Sequence, residues 1–189
     1  MSHGLELEPI TPTGSLHPKN PTLARLARSL NWLNQQVLRV SMLALVLTSM
    51  VLTYSVLTRY FFKIGTDWQD EAAVFMLVGA VFMCTGYVQS LRGHIGIEAF
   101  ATLLPESVNR IRLLLVDIAS TLFCAFFSWK SWTLFYEAWS QGQTTSSSFA
   151  PPLWIPYSLM AVGMSLLTLQ LLLQSATRLT GGEVQDERT

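Results

Sequence analysis

The chain has 189 residues, of which 50% are hydrophobic and only 13% are charged, whereas about a quarter of the residues in a soluble domain carry a charge. This composition argues against a soluble domain and indicates a protein that resides in a membrane. The formal net charge is zero, so the chain lacks the basic surface that a nucleic-acid partner requires.

The chain begins with two segments that precede the apolar runs. Residues 1–21 contain four prolines and little that could form a core, which predicts a disordered cytoplasmic tail. Residues 22–39 repeat leucine at helical spacing, with arginines on other faces, which is typical of an amphipathic juxtamembrane segment.

Four apolar runs follow, at about residues 40–57, 72–88, 113–135 and 155–173. Each is close to the roughly 20 residues that cross a bilayer, and backbone amides in lipid must be satisfied within the helix. The third run contains Asp117 and Lys130 and is the weakest by hydropathy. We therefore predict an all-α integral membrane protein with four transmembrane helices in a membrane domain of residues 40–174, and a cytoplasmic tail at 175–189.

A further helix is predicted between the second and third spans. Ile97, Phe100, Ala101 and Leu104 recur at the spacing of an apolar helical face. The segment is too short to span the bilayer and too apolar for a free loop, so we predict a short interfacial amphipathic helix.

The positive charges predict the orientation of the spans. With the N-terminus inside, nine lysines and arginines lie in cytoplasmic segments, two lie in the outer loops and Lys130 remains in a span. Because positive residues beside spans are retained in the cytoplasm, we predict that both termini are cytoplasmic.

Small polar residues recur along the spans. The first span carries Ser41, Thr48 and Ser55 at intervals of seven, and the third carries a similar line of Asp117, Thr121, Cys124, Ser128 and Ser131. Small residues and hydroxyls of this kind favour close helix packing, so we predict packing faces and not the lining of a pore.

Lys130 is the exception among these polar residues. It lies six residues before Tyr136, about 9 Å along a helix, and its side chain leans away from the nearer outer surface. The position predicts a carboxylate partner on a neighbouring helix or on another subunit.

The spans contain no histidine, because His3, His17 and His94 all lie outside them. A haem-carrying span would need facing axial ligands, and a metal site would need a spaced second ligand. Hydrolysis within the membrane would need a histidine base beside a serine. We predict no catalytic, cofactor or metal site, and a protein that is not an enzyme.

Several short motifs, in order and across the four spans, resemble those of a known family between about residues 37 and 173. They are Arg59-Tyr60-Phe61, Trp68-Gln69-Asp70-Glu71, Arg92-Gly93-His94-Ile95, Gln143-Thr144, Pro152-Leu153-Trp154-Ile155-Pro156-Tyr157 and Gly163. The pattern resembles the Q-type, four-span small membrane subunit of tripartite ATP-independent periplasmic (TRAP) transporters.

This resemblance implies an accessory, non-catalytic subunit in the bacterial inner membrane. A periplasmic solute-binding protein would deliver an organic acid, a dicarboxylate or similar carboxylate, to a large multi-span permease subunit, and a sodium gradient would drive symport. The small subunit would scaffold the large one, contact membrane lipids and contribute to docking of the binding protein. Candidate interface or docking residues are Arg59, Trp68, Asp70, Glu71, Arg92, His94, Lys130, Trp154 and Tyr157.

Two other functions suit a small four-span protein. One is a membrane-anchor subunit of a respiratory redox complex, against which the absence of histidines in the spans counts. The other is a stand-alone channel or exporter, which would need charged residues that meet inside the membrane.

Overall fold

The structure is a computed structural model that describes residues 16–17, 21–63, 65, 67–90, 106–179 and 183–184. Four helices account for most of them: α1 spans Pro21–Phe62, α2 spans Asp67–Ser90, α3 spans Glu106–Ser140 and α4 spans Trp154–Leu179. Two short strands, β1 at Leu16–His17 and β2 at Glu183–Val184, pair antiparallel. The prediction of an all-α membrane protein is confirmed.

The helix ends follow the local chemistry of the chain. Pro21 occupies the first position of α1, where a missing amide hydrogen costs nothing. Gly142, just after the end of α3, has a φ of 60°, the left-handed conformation that follows many helix C-termini and that glycine adopts without strain. Pro156 lies in the first turn of α4, where proline is likewise tolerated.

Side-chain contacts at the two ends of the helices give their relative directions. Glu71, near the start of α2, contacts Thr145, which precedes α4, and Gln89, near the end of α2, contacts Gln174 near the end of α4. Helices α2 and α4 are therefore parallel. We call the first of these ends the loop end (residues 55–71 and 136–157) and the second the terminal end (residues 30–34, 86–90 and 170–177).

Three helical segments are long and apolar enough to cross a membrane: Leu23–Phe62, Trp68–Ser90 and Trp154–Thr177. By length and composition alone, α3 is not among these candidate spans. However, α2 and α4 run in the same direction, so the chain must return from the terminal end to the loop end between them. The segment that makes this return is α3, and its 35 residues, about 52 Å of helix, are sufficient. The packing thus supports the fourth span that was weakest by hydropathy.

The helices pack in the spatial order α1, α2, α4, α3. Helix α2 lies between α1 and α4, α4 lies between α2 and α3, and α1 meets α4 only in a small contact. Helices α1 and α2 are antiparallel, because Ser55 near the end of α1 lies beside Asp70 near the start of α2. Helices α3 and α4 are also antiparallel, because Trp139 near the end of α3 lies beside Trp154 at the start of α4. The described helices form a row, not a closed bundle.

Small residues allow close contacts between helices. Gly163 on α4 faces the carbonyl of Phe82 on α2 so closely that an added Cβ would overlap that oxygen, and Gly79 faces Leu159. The predicted packing faces are confirmed, because Ser41, Thr48 and Ser55 are all buried on α1. On α3, the Ser128 hydroxyl lies 3.0 Å from that of Ser165 on α4.

The helices are longer than the predicted spans. Helix α1 continues without a break through the predicted juxtamembrane segment, and its 42 residues extend about 63 Å, roughly twice the thickness of the hydrocarbon layer. The predicted interfacial helix lies outside the described residues, which resume at Glu106, the first residue of α3. Most of the predicted tails also lie outside them, while residues 175–179 continue α4.

Candidate functional site

An ion pair joins α1 to α2 at the loop end. Arg59 Nη2 lies 2.6 Å from Asp70 Oδ2, and the Ser55 hydroxyl donates to Asp70 Oδ1 at 3.0 Å. Asp70 also lies at the N-terminus of α2, where a negative charge is favoured by the helix dipole. Both charged side chains are about half exposed, so the pair fixes geometry more than it stabilises the fold, since exposed ion pairs contribute at most about 1 kcal/mol.

The next residue on α2, Glu71, holds the loop that connects α3 to α4. The Thr145 hydroxyl donates to Glu71 Oε1 at 2.7 Å. The loop is also closed on itself, because Thr145 N donates to Pro151 O and Leu153 N donates to Gln143 O. Helix α2 therefore anchors a loop that belongs to α3 and α4, which gives the loop end one ordered surface.

Aromatic residues mark the level of the loop end. The rings of Trp139 on α3 and Trp154 on α4 meet edge to face, with centroids 5.1 Å apart. Trp68 is half exposed at the start of α2 and Tyr157 is partly buried in the first turn of α4. Tryptophan and tyrosine concentrate at membrane interfaces, so this level corresponds to one bilayer surface.

A buried amide cluster lies at the terminal end, and the sequence analysis missed it. Asn34 Nδ2 on α1 donates to Gln170 Oε1 on α4 at 3.3 Å and to the carbonyl of Gly86 on α2 at 3.4 Å. Gln89 and Gln174 donate to each other's oxygens at 3.0 Å. The seven-residue spacing of Asn34 from Ser41 was a signal that could have placed it on the same packing face.

Lys130 lies apart from both ends. It is exposed on α3, and its ammonium group is 5.4 Å from the centre of the Trp129 ring. The remaining predicted site residues, Arg92 and His94, lie outside the described residues. The structure therefore brings Arg59 and Asp70 together, places Glu71 and Trp154 at the same end, and separates Lys130 from all of them.

The described polar residues at the two ends make contacts between the helices and with the loop between α3 and α4. In the ranges that the structure describes, no three His, Cys, Asp or Glu side chains come together as a metal-binding group. A shallow groove lined by Ser49, Met50, Thr53, Tyr54 and Leu57 lies along α1 alone, so it does not pass between helices. Over the residues that the structure describes, the helices pack side by side in a row and do not surround a central space.

Comparison with known proteins identifies one family. The family model for the DctQ component of tripartite ATP-independent periplasmic transporters matches residues 48–181, which is more than half of the chain and includes α2, α3 and α4. No curated protein matches the chain, and no solved structure matches it.

Proposed function

This chain belongs to the family of DctQ components of tripartite ATP-independent periplasmic transporters and is a small permease subunit, and we propose that it acts as a non-catalytic scaffold beside a large permease subunit. The partner carries the transport route, and a sodium gradient drives uptake of an organic acid, a dicarboxylate or similar carboxylate. A periplasmic solute-binding protein delivers the acid to the complex. The complex resides in the bacterial inner membrane.

The arrangement of the four helices is the observation that carries the scaffold role. Transport sites are commonly built from broken helices and charged groups that converge at the middle of the membrane. Here the four helices are continuous over the described residues, and they pack in a row with wide apolar faces on both sides. Those faces suit contact with lipid and with a partner.

The loop end supports the proposed role in docking. Lysine and arginine are in excess in the segments on the side opposite the loop end, which favours a cytoplasmic location for both termini. The loop end then faces the periplasm. There, the Arg59–Asp70 pair and the loop held by Glu71 present an ordered polar surface. We propose that this surface forms part of the docking site for the binding protein, with Trp68 and Tyr157 as membrane anchors.

A reconstitution experiment tests this function. The large subunit, the binding protein and this chain are placed in liposomes, and uptake of a panel of radiolabelled dicarboxylates and other organic acids is measured with and without a sodium gradient. We expect uptake only with all three proteins and the gradient. Binding of the binding protein to the membrane complex should weaken when this chain is omitted.

Three results would contradict the proposal. The first is full uptake by the large subunit and binding protein without this chain. The second is solute movement by this chain alone, which would favour the channel alternative, and the third is a haem band in its optical spectrum, which would favour the respiratory-anchor alternative. Liposomes with the large subunit alone serve as the matched control.

A further inference from the structure

Contacts with α4 place Lys130 level with the middle of the candidate membrane span of that helix. Ser128 and Trp132, two residues before and after it on α3, both contact the hydroxyl of Ser165. Ser165 is the twelfth residue of the 24-residue candidate span Trp154–Thr177. Lys130 is also nine residues from Trp139 in the aromatic layer, about 13 Å along the helix, which is close to half of the 30 Å hydrocarbon thickness.

At this depth, Lys130 points away from the rest of the chain. It follows Ser128 by two residues, a rotation of about 200°, so it lies on nearly the opposite side of α3 from α4. It is exposed, as are Phe123, Phe126, Leu134 and Glu137, which recur on the same face at intervals of three and four. We call this set the Lys130 face.

The described part of the chain does not neutralise this charge. Helices α1 and α4 contain no aspartate or glutamate, and the carboxylates of α2 lie at the loop end. On α3 itself, Asp117 is 13 residues away and Glu137 is seven, about 20 Å and 10 Å along the helix. The Trp129 ring offers a cation–π contact, but this replaces only a small part of the lost hydration.

Neither membrane surface offers an alternative. The nearer surface, marked by Tyr136 and Trp139, lies about 9–13 Å from Lys130 along α3. A lysine side chain in a helix leans toward the N-terminus, away from that surface, and has only a four-carbon stem. A charged group held at this depth in lipid is costly and calls for an oppositely charged partner.

We propose that Lys130 forms an ion pair, at the middle of the membrane, with a carboxylate on a helix of the large permease subunit, and that the Lys130 face is the surface that this subunit covers. The inference rests on the proposed function, since it assumes that the large subunit is present. Charge complementarity selects this face over the exposed apolar face of α1, which carries no charged residue between Arg39 and Arg59.

Co-purification of the complex tests the ion pair. This chain and the large subunit are produced together, extracted in mild detergent and purified through a tag on this chain. We expect Lys130→Met and Lys130→Glu to lower recovery of the large subunit at least roughly tenfold, because each leaves the partner's carboxylate buried without its counter-charge. Lys130→Arg should retain it. Lys63→Met is the matched control, since it removes the same group from an exposed position at the end of α1.

Photo-crosslinking tests the face without depending on Lys130. A photoreactive residue at Phe126 or Leu134 should crosslink to the large subunit, and one at Val46 or Met50, on the exposed face of α1, should not. If a carboxylate-to-lysine change in the large subunit restores its co-purification with the Lys130→Glu variant, the changed residue is the partner of Lys130.

The outcomes separate this inference from the proposed function. If the complex forms but Lys130→Glu assembles as well as the unmodified chain, or if crosslinks arise from α1 alone, the inference is wrong and the scaffold role stands. Crosslinks from the Lys130 face to a second copy of this chain would also overturn it. If the unmodified chain recovers no large subunit and crosslinks to none, the proposed function itself fails.

Discussion

The carboxylate of Glu71 shows how single residues join distant parts of this chain. It lies on α2, yet it accepts a hydrogen bond from the hydroxyl of Thr145, which is 74 residues later in the loop between α3 and α4. Its neighbour Asp70 instead turns toward Ser55 and Arg59 on α1. Two adjacent acidic residues thus connect α2 to the parts of the chain on either side of it. Lipid offers no hydrogen-bond partners to these groups, so side chains of the protein provide them.

Replacing Thr145 by valine tests the loop anchor at the scale of one hydrogen bond. The change keeps the shape of the side chain and removes the hydroxyl donor. The free energy needed to open the loop should therefore fall by roughly 1–2 kcal/mol, the usual contribution of such a bond. Hydrogen exchange of the backbone amides of Thr145 and Leu153, which close the loop, should accelerate about tenfold. Thr144→Val, at an exposed neighbouring side chain, is the control and should leave both rates unchanged. Equal rates in the two variants would show that Glu71 does not hold the loop.

At the scale of the helices, packing depends on the absence of bulk. Apolar side chains gain little by leaving lipid for another helix, so close backbone approach and interhelical hydrogen bonds must hold the spans together. The contact of Gly163 with Phe82 supplies the first, and the amide pair of Gln89 and Gln174 supplies the second. Hydroxyls such as that of Thr48 bond to the preceding turn of their own helix, so no polar group is left in hydrocarbon at those positions.

Substituting alanine for Gly163 tests this packing. The added methyl group meets a backbone carbonyl, which cannot rotate away, so α2 and α4 must separate, at a cost of roughly 1–3 kcal/mol. The thermal midpoint of the purified chain, followed by size-exclusion chromatography with fluorescence detection, should fall. Gly65→Ala is the matched control, because an added Cβ there meets no atom within 4 Å. If both variants melt alike, the close approach does not govern the stability of the pair.

At the scale of the whole chain, two independent contacts place the described segments nearest the two termini at one end. The strands at Leu16–His17 and Glu183–Val184 pair with each other, and Asn34 bonds to Gln170 just inside them. Ends on the same side require an even number of crossings, which agrees with α3 as a fourth span between the parallel helices α2 and α4. The resulting row of helices has two broad faces and two edges. The edge formed by α3 carries the exposed Lys130.

Labelling with a membrane-impermeant maleimide tests this topology. In a chain without its two native cysteines, Ser148→Cys in the loop should react in intact cells. His17→Cys and Glu183→Cys should react only after the membrane is opened. These two terminal positions serve as controls for each other, because their pairing demands the same behaviour. Opposite labelling of the two would rule out the even number of spans.

Much of this architecture was determined by the sequence. Lipid allows a backbone to cross only as a helix or a closed barrel, so long apolar runs had to become spans, and the seven-residue spacing of Ser41, Thr48 and Ser55 indicated a packing face before any partner was known. The acidic pair and the tryptophans were likewise visible, because charges and interfacial aromatics concentrate at membrane surfaces.

Only the tertiary structure decided which helices touch and what the polar residues contact. A linear pattern gives the face of each helix but not its neighbour, since all apolar faces are equivalent toward lipid. The row order, the bond from Glu71 to Thr145 and the amide cluster around Asn34 each join residues far apart in the chain. The same holds for Lys130: its charge was plain in the sequence, but its exposure on the side of α3 away from α4, level with the middle of α4, follows from how those two helices pack.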